Sequence, residues 1–372
     1  MAVEPDPTQS PGTSCPEESC PEESSPEEAP QGVPSPTSWR LEPLAGWHLP
    51  LLSDPTFLPL QSVLQRAVWL GLPERLIHAL AARQPIAPLV LVAFSEHNPL
   101  GLIVTSRLNR SGSCWQVQHL RLVNPTGQRD LASTLLREAI HQAKDATSWM
   151  ATASSLDSQR LALLREQGFQ PLRTDQLWCW PGVNEAQRGN SSALGSLQLR
   201  PLNRRTGALL WHLEQAACPA QLRQLLDRRV EDLLDQSHRK GWVLVDGTRD
   251  EAVAGVRWVG EHAGGGHHVE LTVHPGWQHL IGGATELLLA QAQQTFGRGG
   301  DLWLRCDVRD APRQSWLRGR GALERGERVL MARSVWRRHE QPLPALAAQR
   351  LEAMFGQLQP QRRPLPTPLI PR

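Results

Sequence analysis

The segment His267-His268-Val269-Glu270-Leu271-Thr272-Val273 alternates side chains with the period of a strand, and places His268, Glu270, Thr272 and His274 in one polar stripe. Imidazoles and carboxylates are the side chains that take protons near neutral pH. The strand runs into Val273-His-Pro-Gly-Trp-Gln278-His-Leu-Ile281-Gly282-Gly283-Ala284. There Ala284, Leu288 and Ala292 begin the i, i+4, i+8 spacing of a buried helix face. A strand that ends at a helix N-terminus presents unpaired N–H groups and the positive end of the helix dipole. A pyrophosphate fits such a junction when glycines let the backbone approach it. The backbone between about Gln278 and Ala284 is therefore a candidate phosphate cradle.

Other chemistries find less support. Neighbouring histidines on a strand point to opposite faces, which disfavours a metal site there. None of the six cysteines shows CxxC spacing, so Cys114, Cys179, Cys218 and Cys306 read as buried, inert thiols. No apolar run approaches the ~20 residues of a membrane span. The first residues are acidic and proline-rich, unlike a signal peptide, and a cytoplasmic protein is expected. The whole chain carries +2 and the segment 1–38 carries −8, so the remainder is +10. Its positive charge is nearly all arginine, Lys144 and Lys240 being the only lysines. Arginines concentrate near the C-terminus (Arg305, Arg313, Arg318, Arg320, Arg328 and Arg333 among them), which leaves room for a protein or RNA partner as well as for a solvated face.

The elements that must position these groups occur twice. Each copy opens with a strand ending Leu41-Glu-Pro-Leu44 or Leu199-Arg-Pro-Leu202, followed by helical stretches and three apolar strands. The third strand leads into Val123-Asn-Pro-Thr-Gly-Gln128 or Val273-His-Pro-Gly-Trp-Gln278, then a helix. Later come Asp157-Ser-Gln-Arg160 through Leu164-Arg165 to Gly168, and Asp310-Ala-Pro-Arg313 through Leu317-Arg318 to Gly321. Asp is placed to cap each helix start and Gly to close its end. A hairpin is expected after each. Matches in one order at a constant displacement mark an internal repeat. The expected organisation is a disordered acidic tail at 1–38, one copy at 39–181, a linker at 182–196, a second copy at 197–338, and a short helix with a proline-rich tail at 339–372.

Strand, helices, three strands, helix, strand, helix and hairpin, with the Val-x-Pro junction and the late helix ending Gly168-Phe169 or Gly321-Ala322, resembles the GNAT (GCN5-related) N-acetyltransferase superfamily. The resemblance covers both copies and extends to tandem members such as mycothiol synthase. It implies an α/β (α+β) fold of two GNAT-like domains, each with a mixed, mostly antiparallel sheet flanked by helices. It also implies an acyl-CoA, acetyl-CoA above all, as cosubstrate, an amine as acceptor, and no metal. The family's loop reads Gln/Arg-x-x-Gly-x-Gly/Ala. The second copy keeps Gln278 and Gly283, adds Gly282, and has Ile281 in place of the first glycine; with Val273 and Ala284 these are the implied cofactor-binding residues. The first copy keeps Gln128 but has Leu131 and Ser133 at the glycine positions, and Asp130 adds a negative charge.

Some members of the family carry a base four or six residues ahead of the Val of Val-x-Pro. Those positions hold Val269 and His267 in the second copy, and His119 and Val117 in the first. His267 is thus the leading catalytic candidate, Glu270 the second, and a reaction without a side-chain base the third reading. The family's acid, a tyrosine, is replaced by Leu164 and Leu317, and the chain contains no tyrosine. The resulting expectation is an N-acyltransferase working through its second copy, the alternative being a non-catalytic tandem module that binds a protein or RNA.

Overall fold

The computed structural model describes residues 39–78, 87–125, 127–180, 196–238, 240–262, 265–296 and 300–334. The expected N-terminal tail, most of the linker and the C-terminal helix lie outside them. The first half contains β1 (Arg40–Pro43), α1 (Gln61–His78), β2 (Leu89–Ser95), β3 (Asn98–Arg107), β4 (Cys114–Leu122), α2 (Arg129–Gln142), β5 (Ser148–Ser154), α3 (Ser158–Glu166) and β6 (Gln170–Trp180). The second contains β7 (Leu197–Pro201), α4 (Arg204–Ala217), α5 (Ala220–Leu226), α6 (Val230–Gln236), β8 (Gly241–Asp246), β9 (Glu251–Glu261), β10 (His267–Val273), α7 (Gly283–Phe296), β11 (Leu302–Asp307), α8 (Ala311–Gly319) and β12 (Leu323–Ser334). Among the described residues no helix is long and apolar enough to cross a membrane.

All twelve strands form one sheet, ordered β1-β2-β3-β4-β5-β12-β6-β11-β10-β9-β8-β7. Exchanging each strand with its counterpart six places on reverses the order onto itself, so the repeat read in the sequence is a twofold pseudosymmetry in space. The last strand of each half crosses to the other: β12 pairs with β5, β6 pairs with β11, and the two pair with each other. This corrects the expectation of a hairpin after each late helix. Gln170 to Trp180 holds no glycine or asparagine to turn the chain, and in Leu323 to Ser334 Gly326, at φ +95°, accompanies a bulge rather than a turn.

The cores follow from that exchange. Trp178 and Trp180 of β6 pack with Leu304, Leu289 and Phe296 of the second half, while Met331 of β12 packs with Trp149 and Ala151 of the first. Both clusters lie on the sheet face covered by α2 and α7; α1 and α4 with α6 cover separate clusters on the opposite face. The turn after β3 is also fastened to the second half, with the Arg110 N–H donating to Asp232 at 2.6 Å and its guanidinium to Asp235 at 2.7 Å. The expected caps are present: Asp157 accepts from the Arg160 N–H and Asp310 from that of Arg313, while Gly168 (φ +81°) and Gly321 (φ +78°) close the helices.

Two strand pairs are parallel, and both are short. β4 pairs with β5 only from Cys114 to Val117, and β10 with β11 only from His267 to Val269. Beyond those residues the strands diverge, so each half has a V-shaped gap that opens toward the helix start following its third long strand.

Candidate functional site

The junction after β10 is a 3₁₀ turn, Pro275–Leu280, followed by Ile281, Gly282 and the first turn of α7. Ile281 has an ordinary extended backbone (φ −64°, ψ 111°) and packs its side chain on the second-half core, so no glycine is needed there. Gly282 sits at φ +133°, where a side chain would be strained. A Cβ on Gly282 or Gly283 would meet nothing within 4 Å, so the space above the helix start is open. The Thr285 hydroxyl accepts from the Gly282 N–H and donates to the Gly282 carbonyl, both at 2.9 Å. The N–H groups of Gly283, Ala284 and Thr285 have no partner among the described residues. Three donors at the positive end of a 14-residue helix, beside open space, can hold an anion. Val273 is buried at the strand end, Gln278 is exposed in the 3₁₀ turn, and Ala284 packs on the core.

Sequence reasoning passed over Glu286 in the first turn of α7. Its carboxylate accepts from Trp316 Nε1 (3.2 Å) and pairs with Arg320 (2.6 Å), which offsets its charge beside the open N–H groups. Arg313, which the sequence showed only as a cap-motif residue and one of the C-terminal arginines, reaches across the β10–β11 gap to donate to the Leu271 carbonyl at 3.2 Å, with Asp310 also 3.2 Å away. The repeat marks Arg160 and Arg313 as equivalent, but among the described residues only Arg313 makes such a bond. In the first half, Asp130 occupies the first turn of α2, Ser133 accepts from Gln167, and Arg129 pairs with Glu166.

The two base candidates fall on opposite faces of β10. His267 lies on the α7 face, its ring 6.4 Å from that of Phe296, and its Nδ1 accepts from Trp258 Nε1 at 3.3 Å. It must release that bond to receive a proton on Nδ1. Six residues of strand place it about 20 Å from the loop end. Glu270 faces α4, where it pairs with Arg257. Desolvation opposes ionisation of Glu270, yet Arg257, then Arg228, Arg173 and Arg305, hold its carboxylate down to about 2, which makes it a weak proton acceptor at neutral pH.

Arg257 is 2% exposed and also binds Glu214 at 2.6 Å, which Arg228 meets at 3.1 Å. Removing one member of such a network strands the others. Arg257→Met is expected to destabilise the chain by about 3 kcal/mol, read from the urea midpoint, with partial recovery on adding Glu214→Gln. An unchanged midpoint would show the network to be energetically idle.

Burial, then Arg305, His262 and Arg328, pushes His268 down to about 3. Burial, then Arg121 and Arg160, pushes His119 down to about 4. Both imidazoles are neutral in the folded chain at pH 5, whereas the unfolded chain protonates them below about 6.5. The unfolded state then binds more protons, so these two groups cost stability as pH falls from about 6.5 toward 4. Melting temperature is expected to fall less over that range in His268→Gln than in the parent, and identical slopes would refute the assignment.

Three of the four thiols read as buried are buried. Cys114, Cys179 and Cys306 are buried, Cys218 is half-buried, and burial pushes Cys114 up to about 11 and Cys306 up to about 12. Among the described residues no group of three or more His, Cys, Asp or Glu is placed to hold a metal ion.

Neither a family model nor a curated protein matches the chain in sequence. Solved structures do match in shape. A GCN5-related N-acetyltransferase from Sphaerobacter thermophilus superposes with a TM-score of 0.52 at 13% identity, covering 80% of this chain and 95% of its own. A candidate acetyltransferase from Pyrococcus horikoshii gives 0.50 at 9% identity, covering 83% and 94%. The chain has the GNAT fold. Coverage of four-fifths exceeds what either half could supply, so the likeness spans both GNAT-like halves. Within that fold the strand–loop–helix junctions follow β4 and β10, and the late helices α3 and α8 carry Leu164 and Leu317. Both leucines are core residues at 2% and 0% exposure.

Proposed function

We propose that the chain is an acyl-CoA-dependent N-acyltransferase, with acetyl-CoA as donor and an amine as acceptor, working through its second half. The observation that carries this reading is the open start of α7, where three N–H groups have no partner, and Gly282 and Gly283 no covering side chain, among the described residues. The donor supplies a thioester; an amine attacks its carbonyl, a C–N bond forms, the C–S bond breaks and the thiol departs. The chain's part is to bind the diphosphate at Gly283 to Thr285 and to align the two reactants along β10. His267 is assigned the amine's proton, taken when its Trp258 bond opens. Glu270, paired with Arg257 on the opposite face of β10, takes no part in that step.

With no tyrosine to protonate the leaving thiolate, that proton comes from water. A general acid is worth about 10²–10⁴-fold, whereas positioning can supply effective molarities of about 10⁵–10⁸ M, so the reaction is slow rather than abolished. Calorimetry with acetyl-CoA tests the reading directly, and saturable binding at one site is expected. Absence of binding to the full chain would favour the second reading, a non-catalytic docking module. The buried leucines and the Arg313 bond to Leu271 support that alternative.

A further inference from the structure

The sheet face opposite α2 and α7 carries a group of arginines that the site above does not use. Cross-strand register puts Arg328 of β12 beside Asp175 of β6, and Asp175 beside Asp307 of β11. Arg173 and Arg305, two residues along their strands, share that face. Arg121 lies four residues past the last β4–β5 pair, Val117 with Ala151, and Arg328 lies beside Ser154, three residues past it, so the two stand across the first-half gap, with Arg160 the third residue of the α3 that follows β5.

Charge matching here is incomplete. Arg173 is met by Asp175 at 2.8 Å, and Arg228 and Arg257 are met by Glu214 and Glu270. Asp157 and Asp307 accept from the backbone N–H groups of Arg160 and Arg309, at 2.9 and 2.8 Å. The side chains of Arg121, Arg160, Arg305 and Arg328 make no hydrogen bond or ion pair with the described residues. Burial together with repulsion lowers the proton affinity of Arg160, with Arg121 and Arg328 adding to it. Arg305 is lowered by burial with Arg328 and Arg173 adding to it, despite the attraction of Asp175 and Glu270. His119 and His268, kept neutral on either side, retain N–H donors.

Arg121, Arg305 and Arg328 are exposed and Arg160 is half-buried, so solvent screens their repulsion and their guanidiniums are open to an anion. Guanidinium forks match the paired oxygens of phosphate and carboxylate groups. We propose that this cluster is a binding site for a multiply charged oxyanion, a phosphate ester or a di- or tricarboxylate, held by Arg121, Arg160, Arg305 and Arg328 where the two halves of the chain cross. The site exists only because β12 carries Arg328 from the second half to the edge of β5. It is separate from the start of α7 and does not rest on the acyltransferase reading.

The test is calorimetry on the full chain with inorganic pyrophosphate and with citrate, at ionic strength held constant with sodium chloride. Saturable binding of at least one is expected, and whichever binds more tightly identifies phosphate or carboxylate as the ligand chemistry. Arg328→Gln and Arg305→Gln should each weaken it at least tenfold. Arg66→Gln, an exposed arginine on α1, and Gly283→Asp should leave it within twofold. Without ligand, Arg328→Gln should melt at or above the parent temperature, because it relieves repulsion; lost binding then cannot be unfolding. Failure of both anions to bind, or an equal loss in Arg66→Gln, would overturn the proposal. So would a tenfold loss in Gly283→Asp, which would move the anion to the start of α7.

Discussion

Replacing Gly283 by Asp should lower acetyl-CoA affinity at least tenfold, about 1.4 kcal/mol. Gly283 is the first residue of α7, exposed, with open space where its side chain would stand. A carboxylate there fills the space proposed for a diphosphate and accepts the helix-end N–H groups itself. The same charge favours the helix dipole, so the variant should fold at least as well as the parent, and lost affinity can be assigned to the site. Ser133→Asp in the first half should change affinity less than twofold. That helix start already carries Asp130, and Ser133 is engaged by Gln167. Equal losses from both variants would mean two working sites, and a larger loss from Ser133→Asp would transfer the site to the first half.

Neither 39–181 nor 197–338, produced alone, should give a folded monomer. The first fragment lacks β12 beside β5 and exposes Trp178 and Trp180, which the intact chain buries against β11 and α7. A buried tryptophan is worth about 3–5 kcal/mol by truncation to alanine, so two of them match much of the usual stability of about 5–15 kcal/mol. Mixing the fragments should restore cooperative melting, because each supplies the strand the other lacks. Trp178→Ala in the intact chain should cost about 3–5 kcal/mol, although its sequence position is in the first half and its packing in the second. A monomeric fragment with its own cooperative transition would refute the strand exchange.

The sequence by itself determined the repeat, the type of nearly every element and the place of the helix-start junction. These are local properties. Alternation marks β10, helical spacing marks α7, and the aspartates and glycines that bound α3 and α8 act on their own turns. It also marked Gly282 and Gly283 as the backbone that a phosphate could approach. Only the tertiary structure decided where the last strands go, since a strand's pattern tells which faces are buried and not which neighbour buries them. The same reason separates the base candidates. Glu270 and His267 look alike as titratable residues on one strand, but Arg257, Glu214 and Arg228, distant in sequence, converge on Glu270 and none of them on His267. The arginines that have no partner among the described residues were visible as composition alone. Folding divided them, tying Arg313, Arg318, Arg320 and Arg333 to acceptors and leaving Arg305 and Arg328 together at the crossing. Electrostatic environment depends on distances between elements, and those distances are set by the strand order that the sequence does not spell out.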